Sequence, residues 1–125
     1  MQYLWVGIGG FLGANARFVL ARAFADRFGG AFPYGTLVVN LSGSLLIGVI
    51  LSLIAERIVP DEPWRWLVAA GFLGGYTTFS SYSWETVKLL EAGRWERALL
   101  YVVASNGLGL LACAIGIIAA RAVAR

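Results

Sequence analysis

The sequence predicts an all-α membrane protein of four transmembrane helices, the third broken at mid-membrane, assembled as an antiparallel dual-topology homodimer. Three observations carry that expectation. The chain is 59% hydrophobic and only 14% charged, whereas in a soluble domain about a quarter of the residues are charged. The apolar residues fall into four runs of membrane-crossing length. The basic residues divide almost evenly between the two faces that four crossings define.

A helix rises about 1.5 Å per residue, so about 20 apolar residues cross the roughly 30 Å hydrocarbon layer. The first span covers residues 3–25 and carries Arg17 and Arg22. The second, residues 34–55, has no charge at all, and the third, residues 66–90, has none before Glu85. The fourth covers residues 98–120. A barrel of strands is excluded because apolar and polar residues do not alternate in segments of about ten. At 125 residues the chain is one domain. The N-terminal MQYLWVGIGG has no basic segment ahead of its apolar residues, so it reads as the first membrane helix and not as a cleaved leader.

The connections are short. Asp26 to Pro33 holds the pair Gly29 and Gly30, Glu56 to Arg65 holds Pro60 and Pro63 with three acids, and Glu91 to Arg97 forms the third loop. Trp5, Trp64, Trp66 and Trp95 lie near span ends, where amphipathic rings favour the interface.

The net charge of +3 arises from ten basic residues scattered singly beside apolar runs. A nucleic-acid surface needs them clustered on one face, so no nucleic-acid partner is expected and the bilayer headgroups are. One membrane face would hold Arg57, Arg65, Arg121 and Arg125, and the other Arg22, Arg27, Lys88, Arg94 and Arg97. The positive-inside rule needs a bias to choose an orientation. A near-tie points to insertion both ways and an antiparallel pair, with a weakly biased single orientation as the alternative. Cys113 is alone in an apolar run and there is no His, which removes intrachain disulfides and imidazole chemistry.

Small residues are dense in every span, among them Gly9, Gly13, Gly43, Gly48, Gly75 and Gly116, and close helix packing accounts for most of them. Arg17 sits inside an apolar span, where it costs a few kcal/mol unless it snorkels to the interface or finds a partner. Thr36, Asn40 and Ser44 recur at every fourth position, which puts them on one face of the second helix. The strongest signal is GFLGGYTTFSSYSWE, Gly71 to Glu85. Two adjacent glycines and two β-branched threonines are expected to interrupt the helix there, and non-helical backbone at that depth survives only when buried or lining a cavity.

After the interruption Ser80, Ser81 and Ser83 interleave with Phe79 and Tyr82. Hydroxyls and amides donate hydrogen bonds, and aromatic edges are electropositive, so the mixture suits a small anion. Conduction also requires sites that the ion can leave, which argues against fixed Lys or Arg in the path. The alternative is that each hydroxyl bonds back to the carbonyl four residues earlier.

GGFLGANARF, GTLVVNLSGSLLIG and GFLGGYTTFSSYS resemble the three signature segments of the Fluc/CrcB fluoride channels, and the resemblance extends over essentially the whole chain. It implies passive, selective export of fluoride across the bacterial inner membrane by an antiparallel dimer with two pores and a central structural Na+. By the same resemblance Asn40 is the pore-lining Asn, and Phe79 and Tyr82 are the aromatic pair; Tyr82 stands where the usual pattern has Phe, and Ser81 where it has Thr. Gly74 and Thr77 match the positions whose backbone carbonyls hold Na+. Tyr101 and Ser105 match a polar track, which Thr36, Ser80 and Ser81 extend. Glu85 matches a vestibule acid, and Arg17 the basic residue of the first helix.

Nothing in the sequence pairs a nucleophile with a base or spaces metal-ligating side chains, so an enzyme is not expected. A small four-helix proton-coupled multidrug exporter is the alternative, but it needs an acid within its first span, and this first span has Arg17 and no acid. A structural membrane subunit leaves the interrupted helix unexplained.

Overall fold

A computed structural model describes all residues from Met1 to Arg125, and every regular element in it is helical. Helix α1 spans Gln2–Phe28 and α2 spans Tyr34–Ala55. Helix α3 is a wide π-helical stretch, Arg65–Leu73, that tightens into one α-helical turn, Gly74–Tyr76. Helix α4 spans Phe79–Glu91, and α5 runs Trp95–Ala124 with a π-helical turn at Ala104–Leu108. Helices α1, α2 and α5 are each long and apolar enough to cross a membrane. The remaining rod is made of α3 and α4, which the break between them keeps from reading as one such helix.

The position of that break differs from expectation. Gly74 and Gly75 are helical, and only Thr77 (φ −85°, ψ 155°) and Thr78 (φ −150°, ψ 117°) are extended. Glycine permits a departure from helical dihedrals without demanding one. Thr77 keeps its helical bond to the Leu73 carbonyl, and the chain opens there because other groups take over the backbone bonds of Thr78 and the Ser81 N–H, as described below.

The turns follow from local chemistry. Gly29 (φ 78°) ends α1, and Gly93 (φ 74°) turns the chain after α4, both in the left-handed region that glycine enters without a Cβ clash. Proline 33 precedes the first residue of α2, where a missing N–H costs nothing.

Packing between helices rests on absent side chains. A Cβ on Gly9 or Gly13 of α1 would strike the backbone carbonyl of Leu67 or Phe72 in α3, and one on Gly75 would come within 2.7 Å of the Gly10 carbonyl. The α2–α5 contact repeats the device, with Gly48 against the Cys113 carbonyl and Gly116 against that of Leu45. In lipid the hydrophobic effect does not drive helices together, so backbone-to-backbone approach of this kind supplies the association through van der Waals contact. The buried apolar groups form two small clusters, one of Val39, Leu73 and Tyr76 and one of Leu89, Ala98 and Tyr101. Large apolar side chains such as Phe11, Phe18, Leu110 and Ile118 point outward, the arrangement an acyl-chain solvent favours.

Candidate functional site

The site begins with the backbone groups that the break releases. In an unbroken helix the Thr78 N–H would bond to the Gly74 carbonyl. Here it donates to Oδ1 of Asn40 at 2.8 Å, while Nδ2 of Asn40 donates to the Thr78 carbonyl at 3.0 Å. One side chain from α2 thus pairs both groups of the most extended residue. The Ser81 N–H donates to Oγ1 of Thr78 at 3.2 Å, so Thr78 is the N-cap of α4. Gly74 and Thr77 therefore keep carbonyls whose helical donors have been diverted, at the negative end of α3.

Arg17 is anchored at the same place. Its Nε donates to the Gly75 carbonyl at 3.1 Å, so a cation of the first helix meets the C-terminal end of α3. This charge-assisted bond and the helix dipole offset part of the cost of holding a guanidinium in the apolar span.

A cavity of about 320 Å³ lies beside the break. Its walls include Asn40 and Ser44 from α2, Gly74 from α3, Thr77 and Thr78 from the break, Phe79 and Tyr82 from α4, and Ser105 and Asn106 from α5. None of its lining residues carries a charge. Phe79 is 78% exposed, so the cavity has an aromatic rim open to the side of the chain. The Phe79 and Tyr82 ring centroids are 5.5 Å apart, which places both rings on one face as their spacing predicts.

Two further polar groups line this cavity. Ser105 has a buried hydroxyl with no hydrogen-bond partner in the chain. Tyr82 receives a hydrogen bond from Nδ2 of Asn106 at 3.1 Å. Asn106 was not singled out from the sequence, although it is the only Asn in the fourth span. Thr78 was noted there only as part of the interruption, yet a Thr three residues ahead of Ser81 at the start of a helix has the N-cap pattern.

From the cavity a ladder of rings leads toward the first loop: Tyr82 to Tyr101 at 5.2 Å between centroids, and Tyr101 edge-on to Phe32 at 5.6 Å. Glu85 lies along it and joins three helices. Its carboxylate accepts from Oγ1 of Thr36 at 2.7 Å and from the Tyr101 hydroxyl at 2.8 Å. Glu85 and Thr36 also line a second cavity, of about 230 Å³, bounded by Gly29, Gly30 and Phe32. The face of Thr36, Asn40 and Ser44 is thus turned along its length toward the broken rod.

Some hydroxyls bond only locally. Thr77 donates to the Leu73 carbonyl, Ser83 to that of Phe79 and Thr86 to that of Tyr82, each four residues back. Ser80 and Ser81 also bond locally, to the Thr78 hydroxyl, each at 3.2 Å.

The chain thus combines membrane-length apolar helices, one rod broken in its middle and an uncharged polar cavity at the break. Residues 4–117 match the family described as CrcB-like protein, Camphor Resistance (CrcB), and the chain belongs to that family. It is 45% identical over 111 residues to a protein of Koribacter versatilis, an alignment covering 89% of this chain and 88% of that one. It is 44% identical over 121 residues to proteins of Solibacter usitatus and Magnetococcus marinus, covering 97% of this chain and 99% and 98% of theirs. All three relatives carry the name fluoride-specific ion channel FluC. The protein is accordingly a multi-pass membrane protein of a channel family, not an enzyme.

Proposed function

We propose that this protein is a fluoride-selective channel of the bacterial inner membrane that lets fluoride leave the cytoplasm down its electrochemical gradient, the whole chain forming one channel domain. The observation that carries the reading is the uncharged cavity at the break, rimmed by Phe79 and Tyr82 and lined by Asn40 and Ser105 among others. Such walls offer hydrogen bonds and electropositive ring edges to a strongly hydrated anion. They hold no fixed cation that would trap it. The names of the relatives supply the identity of the ion.

In this reading Asn40, Phe79, Tyr82 and Ser105 line the path at mid-membrane, with Ser80 and Ser81 beside it. Thr36, Tyr101 and Glu85 continue it toward the first loop. The working unit is an antiparallel dual-topology homodimer with two pores. A second copy would cover the exposed Phe79, which unlike the lipid-facing apolar side chains borders the polar cavity. A Na+ at the dimer centre suits the carbonyls of Gly74 and Thr77, since both have lost their helical donors and sit at the negative end of α3. That ion would be coordinated by the carbonyl oxygens and tie the two copies together. Arg17 steadies the same helix end from the other side.

The test is fluoride efflux from liposomes reconstituted with the purified protein, with chloride as control. Fast fluoride efflux with little chloride flux is expected. Equal flux of the two halides would remove the assignment.

A further inference from the structure

Tyr82 carries a hydroxyl that a phenylalanine at the same place would lack, and its surroundings determine what that hydroxyl does. Nδ2 of Asn106 lies 2.9 Å from the Val102 carbonyl and 3.1 Å from Oη of Tyr82. A carbonyl only accepts, so the Asn106 atom facing it is the amide nitrogen and not the amide oxygen. The same nitrogen then donates to Tyr82, and Oη is the acceptor. The phenol proton is left over, with no acceptor in the chain.

Ser105, the neighbour of Asn106, has a buried hydroxyl that is also without a partner. A buried polar group left unmade costs about 1–3 kcal/mol, so the Ser105 hydroxyl calls for a partner, and the half-buried Tyr82 offers its free phenol proton to the same cavity. Tyr82, Ser105 and Asn106 all line the cavity at the break. The π-helical turn at Ala104–Leu108 contains both Ser105 and Asn106, and π-turns recur at functional sites because they re-aim side chains.

We infer that the Tyr82 phenol, with its lone pair occupied by Asn106, is an O–H donor to the permeating anion, acting together with the Ser105 hydroxyl. Asn106 is a positioning residue: it fixes the direction of the phenol proton without touching the ion. The inference rests on the anion-channel reading above and adds to it the residue that orients the donor. An anion accepts such bonds and a cation does not, so the pair also favours anions over cations at this point.

The experiment measures fluoride flux in liposomes as a function of fluoride concentration for Tyr82→Phe, Asn106→Leu, Ser105→Ala and the double variant Tyr82→Phe with Asn106→Leu. Size-exclusion profiles in detergent check that each variant is folded. Tyr82→Phe keeps the ring and should raise the half-saturating fluoride concentration about tenfold, the loss of one hydrogen bond to a charged group. Ser105→Ala should do the same, because it removes the other donor. Asn106→Leu should raise it less, and should add nothing in the Tyr82→Phe background, since it acts only through the phenol. An unchanged or lower half-saturating concentration for Tyr82→Phe overturns the inference, as does an additive double variant. Unmodified protein that fails to discriminate fluoride from chloride defeats the channel assignment itself, which these variants do not test.

Discussion

Asn40 pairs through one side-chain amide with both backbone groups of Thr78, accepting from its N–H at 2.8 Å and donating to its carbonyl at 3.0 Å. The amide has the same donor and acceptor geometry as a neighbouring peptide and so stands in for the missing turn of helix. Because it takes the Thr78 N–H, the Gly74 carbonyl is set free. The cavity wall and the proposed cation site are thus linked through a single residue of α2.

Asn40→Ala should therefore affect more than ion flux. It leaves the Thr78 N–H and C=O unpaired inside the molecule, at about 1–3 kcal/mol each, so thermal melting in detergent should fall clearly along with a flux loss of about tenfold or more. Asn40→Asp keeps an acceptor for the Thr78 N–H and should melt between the two. Equal melting temperatures for Asn40→Ala and the parent protein would mean that the clamp contributes nothing to the fold.

Arg17 and Gly75 make a test of the helix end. Arg17→Leu removes the donor to the Gly75 carbonyl, and the loss should amount to about 1.5–3 kcal/mol, the range for a hydrogen bond made by a charged group. Arg17→Lys should recover part of it, because the ammonium still complements the end of α3. The measurement is resistance to unfolding by increasing denaturing detergent.

Glycine positions in α1 predict opposite signs for one chemical change. Gly9→Ala drives a methyl into the Leu67 carbonyl and to within 2.7 Å of the Phe72 amide, so the α1–α3 seam must part and the protein should melt markedly lower. Gly7→Ala meets nothing within 4 Å and should melt the same or slightly higher, by about 1 kcal/mol at most from helix propensity. Thermal melts of the two variants side by side decide it.

Tyr101 tests the polar link to the first loop. Tyr101→Phe retains ring contacts with Phe32 and Tyr82 but removes the hydroxyl that donates to Glu85 at 2.8 Å. Fluoride flux should fall several-fold with the size-exclusion profile unchanged. Thr36→Val, which removes the other donor to the same carboxylate, should act in the same direction.

Replacing Na+ by a bulky organic cation throughout purification and reconstitution should weaken the proposed dimer and lower fluoride flux. Restoring Na+ should return both. Flux indifferent to the replacement would leave the freed carbonyls of Gly74 and Thr77 without the proposed occupant.

Much of this was legible in the residues themselves. Apolar run length and charge scarcity depend only on composition along the chain, and the bilayer imposes one length on all such runs, so the helical membrane class follows without knowledge of any contact. The four-residue repeat of Thr36, Asn40 and Ser44, and the i, i+3 pair Phe79 and Tyr82, follow from helix geometry alone. The interrupted segment was visible too, because GGYTT is poor helix sequence.

What only the tertiary structure decided is which partner each group takes. Glycine at 74 and 75 permits a break, but the break falls at Thr77 and Thr78 because Asn40, 38 residues away, and the Thr78 hydroxyl accept the released N–H groups. Arg17 reaches a carbonyl 58 residues on, and Tyr82 meets Asn106 across 24. Local propensity states the cost of leaving a helix, whereas the compensation comes from side chains that are distant in sequence and near only after the helices pack. That is why membrane class and polar faces could be read from the chain, and the clamp, the cap and the oriented phenol required the fold.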